Sequence, residues 1–300
     1  MRKILITGAT GFIGSNLCNK LVSLDYDISI ITRKNSNYNN IKNIIDKVDI
    51  FIYDNDIDNL IDYFNNRKFD LVIHLASSSI VEHNKDNINV ILDSDLKFSI
   101  NILEAMRYSK SKNILNTSTY FIHYKNENYN PNSLYAIMKK TFEDILKFYN
   151  EDYGINYISI ELFDNYGFND TRNKLLELIH KASLTNEVLN MSDGYQILNL
   201  TYIDDIINGY LIAIDMLLNS RGINKKYTLK SNDNITIRNL VNLYEKISNK
   251  KINVNYGAIP YRKRTMMFPW TDCDLLPNWE QKYTLEEGLK EFILRKEKYN

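Results

Sequence analysis

The stretch Lys3-Ile4-Leu5-Ile6-Thr7-Gly8-Ala9-Thr10-Gly11-Phe12-Ile13-Gly14 decides the fold. Its first five residues are aliphatic and β-branched and read as a buried parallel strand. Ser15-Asn16-Leu17-Cys18-Asn19-Lys20-Leu21-Val22 follows with helical spacing of its apolar residues. Gly8, Gly11 and Gly14 thus form a tight turn at a helix N-terminus. Glycine lets the backbone approach a ligand, and the free N–H groups and dipole of the helix favour negative charge. Gly8, Thr10, Gly11, Phe12, Ile13 and Gly14 are therefore a candidate cradle for a pyrophosphate. A glycine turn that served packing alone would not need three glycines at this spacing.

Working outward, strand-like runs at 27–32, 48–53, 70–76, 113–118 and 155–162 alternate with amphipathic stretches such as 92–108 and 134–149. This predicts an α/β fold, a Rossmann-type doubly wound parallel sheet with helices on both faces. Ligands should lie at the carboxyl ends of the strands. Beyond about residue 165 the alternation loosens into helices at 173–183, 203–217 and 237–247 and short strands at 227–229 and 252–256. The segment 257–279 holds three of the four prolines and both tryptophans, and reads as irregular structure over a pocket. The expected division is a dinucleotide-binding domain at 1–165 and a smaller α/β substrate lobe at 166–300.

The chain has 300 residues, 44% of them hydrophobic, and no net charge. No global field steers it toward nucleic acid or an anionic membrane. Cys18 and Cys273 are too few for a disulfide framework and share no metal spacing, which suggests a reducing cytosol. No signal peptide precedes the first strand. The most apolar helix, 210–218, is too short to span a bilayer and carries Asp215. A cytoplasmic protein is expected, with a small-molecule partner and no nucleic acid or membrane. A homodimer is left open.

The second strand ends Ile31-Thr32-Arg33-Lys34, without the acidic residue that would hold a ribose 2′-hydroxyl. Arg33 offers a planar fork suited to a 2′-phosphate, so NADPH is expected in preference to NADH. Asp56-Ile57 follows the third strand, where an acidic side chain can take the adenine amino group while Ile57 packs on the ring. Leu75 and Ala76 end the fourth strand beside the cofactor. His74 reads as a satisfied core histidine.

Tyr135-Ala136-Ile137-Met138-Lys139 places a phenol and an ammonium four residues apart on one helix face. A nearby cation favours phenolate and lowers the Tyr pKa, giving a general acid–base. Tyr-x-x-x-Lys alone arises by chance in a chain with 22 tyrosines. It gains specificity from the hydroxyl pair Ser118-Thr119, which ends the fifth strand and can hold a substrate carbonyl beside the phenol.

With these residues the chain resembles the extended short-chain dehydrogenase/reductase family, which acts largely on nucleotide sugars. The resemblance spans nearly the whole length. It rests on Gly8/Gly11/Gly14, Asp56-Ile57, His74-Leu75-Ala76, Ser118-Thr119, Tyr135/Lys139 and Tyr202-Ile203-Asp204-Asp205. It implies a catalytic triad of Thr119, Tyr135 and Lys139, with Tyr135 and Lys139 also touching the cofactor. It implies that Ser118, Tyr120, His123 and Asp164 face the substrate. Runs 117–124 and 130–135 resemble one branch, the CDP-abequose synthase type of nucleotide-sugar 4-ketoreductase.

Departures from the family pattern narrow the chemistry. In its 4,6-dehydratases the catalytic Thr is followed by Asp and Glu; here Tyr120 and Phe121 stand there, so dehydration is not expected. The family's Arg-x-x-Asn-x-Tyr-Gly appears as Glu161-Leu162-Phe163-Asp164-Asn165-Tyr166-Gly167, and a downstream basic residue is replaced by Leu198. Arg172 and Lys174 offer charge for a diphosphate. Within Pro260-Tyr261-Arg262-Lys263-Arg264, Arg262 and Arg264 stand where the family binds sugar-nucleotide phosphates. The expected activity is NADPH-dependent reduction of the C4 keto group of a nucleotide-activated 4-keto-6-deoxy- or 3,6-dideoxyhexose, giving a deoxysugar for surface polysaccharide. The alternatives are an NAD-dependent nucleotide-sugar epimerase and a catalytically silent NADP-binding regulator.

Overall fold

Residues 1–220 and 222–299 are described by the computed structural model. Their strands, in chain order, are β1 (Lys3–Thr7), β2 (Asp27–Thr32), β3 (Asp49–Ile52), β4 (Leu71–His74), β5 (Asn113–Thr119), β6 (Asn156–Leu162), β7 (Asp164–Tyr166), β8 (Leu189–Met191), β9 (Ile197–Tyr202), β10 (Asn224–Leu229), β11 (Asn234–Thr236) and β12 (Val254–Tyr256). Seven of them form a parallel sheet in the order β10-β6-β5-β4-β1-β2-β3. The order reverses at β1, which pairs with both β2 and β4. That switch point leaves a crevice at the strand ends.

Side-chain alternation splits the sheet residues between two faces. Leu5, Val72 and Ile114 pack with Leu60 and Phe64 of α2 (Ile57–Arg67), Leu103 and Met106 of α4 (Phe98–Ser109) and Phe142 of α5 (Leu134–Tyr153). Ile4, Ile6, Ile73 and Leu115 face the other way, against Leu17 and Leu21 of α1 (Phe12–Ser23) and Tyr210 and Ala213 of α7 (Ile203–Asn219). Between α2 and α4 lies the short α3 (Ile88–Leu92).

The smaller lobe contains the sheet β11-β9-β7 and the pair β12-β8. It is covered by α6 (Leu175–Thr185), α8 (Ile237–Ser248) and α9 (Leu285–Tyr299). The chain does not cross between lobes once at 165/166, as the sequence suggested. Helix α7 returns to cover the large sheet, and β10 joins it as an edge strand beside β6. One apolar cluster runs from Ile4 and Leu17 through Tyr210 to Leu176, Leu240 and Phe292. The lobes share a core, which fixes the walls of the crevice against each other.

The helix expected at 92–108 is broken. A π-helical turn, Asp93–Lys97, separates α3 from α4. Asp93-Ser94-Asp95 are weak helix formers whose side chains compete for backbone groups. Such turns redirect a side chain inward, and Asp95 is buried here.

Candidate active site

A cleft of about 1380 Å³ opens at the carboxyl ends of β1, β2, β4 and β5. The glycine turn forms one wall. Gly8 has φ +72°, and a side chain on Gly14 would collide with the Gly8 carbonyl oxygen. Those two glycines let the strand turn tightly into the helix. Gly11 instead borders the cleft and is exposed. It is the N-cap of α1, and no side chain caps the first turn. The N–H groups there are available to an anion. Thr10, Phe12, Ile13, Leu75 and Ala76 complete this wall. The arrangement fits a dinucleotide pyrophosphate.

Arg33 lies at the outer edge of the cleft and is exposed. The residues after β3 that line the cleft are Tyr53, Asp54 and Asn55. Asp56 and Ile57 do not line it, contrary to the sequence expectation. Asp56 is the N-cap of α2, and its carboxylate accepts from the Asp58 and Asn59 backbone N–H groups at 2.8 and 3.3 Å. Ile57 begins the helix. Oδ1 alone makes this cap. His74 is a satisfied core residue, as expected. Its ring nitrogens lie 2.9 Å from Thr7 Oγ1 and from Ser99 Oγ, and burial pushes its pKa down to about 3.

Thr119, at the end of β5, and Tyr135 and Lys139, on the first turns of α5, all line the cleft. Ser133 caps α5 through the Ala136 N–H, and so fixes the direction in which Tyr135 enters. Ser118 also lines the cleft; its hydroxyl is buried and unpaired. Lys139 is buried, which pulls its pKa down; Asp95 and Glu143 oppose that pull. The Tyr135 phenol is held above its ordinary pKa, first by burial and then by Asp95. Ser77, Arg172 and Thr119 act in the opposite direction. Lys139 is not among the groups that act on this phenol, so the expected lowering is not found: desolvating a phenolate costs more than Ser77, Arg172 and Thr119 return. A protonated phenol suits a proton donor.

Sequence reasoning missed Asp95 and the serine run after β4. The Asp95 carboxylate accepts from the Ser78 N–H at 2.7 Å and from its hydroxyl at 2.5 Å. That bond shapes the loop carrying Ser77 toward Tyr135. The sequence signal was the polar run 93–95 inside an amphipathic pattern.

Tyr120, Asp164, Arg172 and Lys174 also line the cleft. The Tyr120 ring stacks on Phe163 at 4.5 Å, and its hydroxyl donates to Asp164. Arg172 is bound by the buried Asp170 through two contacts of 2.6 Å and lies 4.8 Å over the Phe12 ring. It stands between the glycine turn and Tyr135, with part of its charge already compensated. Lys174 lines both this cleft and an adjoining cavity of about 410 Å³. Arg262 lines only the adjoining cavity and pairs with Glu82 at 3.4 Å across its mouth.

Two expected substrate residues lie elsewhere. His123 is buried, with its ring nitrogens 3.0 Å from the Glu127 carbonyl and the Glu161 carboxylate, and Trp270 stacks on it at 4.1 Å. Arg264 donates to the Pro131 carbonyl at 3.1 Å, contacts Asn130 Oδ1 and covers the Tyr124 ring. It grips the loop ahead of Tyr135 and borders neither cavity. In each case a polar partner from a distant segment claims the side chain.

A model of the NAD dependent epimerase/dehydratase family matches residues 4–224. The chain is 30% identical over 281 residues to a CDP-abequose synthase of Yersinia pseudotuberculosis, covering 89% of this chain and 91% of that one. A CDP-abequose synthase of Salmonella muenchen is 23% identical over 299 residues, 99% of this chain and 98% of that one. The structure of a UDP-glucuronic acid 4-epimerase from Bacillus cereus, in complex with UDP-glucuronic acid and NAD, superposes with a TM-score of 0.86. That pair is 23% identical, over 99% of this chain and all of the other, and shows the shared fold.

Proposed function

The chain belongs to the NAD dependent epimerase/dehydratase family, and from that premise we propose that it reduces the C4 keto group of a nucleotide-activated 4-keto-6-deoxy- or 3,6-dideoxyhexose. One observation carries this reading. Thr119, Tyr135 and Lys139 line one cleft, while the positions after Thr119 hold Tyr120 stacked on Phe163 in place of acidic groups. A proton donor is present, but those positions supply no acid–base pair for eliminating water. The CDP-abequose synthases among the relatives support the same reading.

In this reading Thr119 orients the carbonyl and Tyr135 gives its proton to the developing alkoxide. Lys139 holds the nicotinamide ribose. The bound dinucleotide supplies hydride. Arg33, at the adenosine end, favours NADPH through its fit to a 2′-phosphate. Lys174 and Arg262 bind the diphosphate, whose remote binding energy fixes the sugar in place.

The test is NADPH and NADH consumption with CDP-, dTDP-, UDP- and GDP-linked 4-keto sugars. Reduction at C4, faster with NADPH, is expected, and Arg33→Asp should erase the preference. Tightly held NAD, with interconversion of C4 epimers and no net dinucleotide consumption, would establish the epimerase reading instead.

A further inference from the structure

Behind the catalytic helix lies a chain of ionisable side chains that the chemistry above does not use. Glu161 on β6 is 1% exposed, although it sits where charge is costly to bury. His123 Nε2 donates to its Oε2 at 3.0 Å, and the Lys226 ammonium on β10 contacts the same oxygen. Lys226 also lies 3.6 Å from Glu143 Oε1. Glu143 is on α5, four residues after Lys139 and hence on the same face. Its side chain is 10% exposed, and Oε1 makes no hydrogen bond.

The chain of charges therefore ends beside Lys139, itself only 4% exposed. An ammonium so buried needs compensating charge. The groups around it are Asp95 from the turn before α4, His74 from β4, and Tyr135 and Glu143 from its own helix. Asp95 already accepts two hydrogen bonds from Ser78. His74 is buried between Thr7 and Ser99 and held neutral. Glu143, one helical turn on, has no hydrogen bond at Oε1, which faces Lys226. Around Glu143 stand Lys226 from β10 and Tyr157 from β6.

We propose that Glu143 is a positioning residue that holds Lys139 charged, and that Lys226, shared with Glu161 and His123, sets how much of that negative charge Lys139 receives. This rests on the reading of Lys139 as the residue that binds the nicotinamide ribose. It also gives Glu161 a role: it draws Lys226 away from Glu143. Burial pulls the Lys139 pKa down; Asp95 and Glu143 act against it.

The two ends of the chain should act with opposite sign. Glu143→Gln removes negative charge beside Lys139, so the ammonium loses its proton more easily. Lys226→Met removes a competing cation, so the proton is held longer. The experiment is the affinity of the intact protein for NADPH and NADH, by fluorescence titration from pH 7 to 10.5, with kcat/KM for any keto sugar that is turned over. The alkaline loss of affinity should move down by roughly half to one pH unit in Glu143→Gln and up in Lys226→Met. Both variants tracking the wild type, or both moving the same way, would overturn the proposal. If Glu143→Gln does not fold, Lys226→Met on the edge strand decides alone: an upward move supports the proposal, and no move or a downward one sinks it. Failure of every keto sugar removes the proposed function but leaves the affinity measurement intact.

Discussion

The Tyr120 hydroxyl donates to Asp164 Oδ2 at 2.8 Å, tying the residue after Thr119 to the first strand of the smaller lobe. Asp164 is nevertheless held above the ordinary carboxyl range. Burial raises its pKa, and Tyr120, Lys174 and Arg172 recover only part of the difference. The folded chain therefore keeps this proton longer than the unfolded chain. Stability falls as pH rises from about 3.9 through the folded value, and stays lower above it. Asp164→Asn should raise Tm at pH 7 by about 2 °C, with the two proteins converging below about pH 4. A lower Tm for the variant at pH 7 would mean that the carboxylate's partners outweigh its burial.

Tyr135→Phe keeps the ring and removes the proton. It should lower kcat for the keto sugar by roughly 10²–10⁴-fold and leave NADPH affinity nearly unchanged. Rapid-mixing kinetics and a binding titration separate the two. A rate within about tenfold of wild type, or roughly 1.4 kcal/mol of barrier, would place the proton donor elsewhere.

Asp56 caps α2 and stands away from the cleft. Asp56→Ala should cost about 1 kcal/mol of stability, read from urea unfolding, without weakening dinucleotide binding. A clear loss of affinity would restore the adenine contact that the sequence motif suggested.

Arg262→Ala should raise KM for the keto sugar several-fold while NADPH affinity stays put, because Arg262 lines the cavity beyond Tyr120 and Asp164. Loss of NADPH affinity instead would assign the basic loop to the cofactor.

Local patterns carried much of this molecule. The aliphatic run 3–7 before three glycines could only enter a buried sheet and turn at once into a helix, and β1 and α1 follow it closely. Tyr135 and Lys139 share a helix face by spacing alone, and Thr119 ends β5, so the one cleft that these three line was legible from residues 119–139. The boundary at 165 was not legible. Helix α7 rejoins the first sheet because its apolar face covers the sheet's open face, and β10 because its backbone pairs with the free edge of β6, which no local pattern records.

What the sequence by itself determined was whatever depends on residues within a few turns of each other: the glycine cradle, the Tyr–Lys pair and the alternation of strands and helices. What only the tertiary structure decided was the partner of each polar side chain. Arg264 and His123 carried the right chemistry for a substrate, yet Asn130, Pro131 and Glu161 claim them. Asp56 went to a helix cap. Asp95 reached Ser78 through a break in its helix, and Glu143 met Lys226 across 83 positions of sequence. A buried charge must be satisfied by whichever group the packing brings within reach. That choice depends on strand order and register, and so on the assembled sheet.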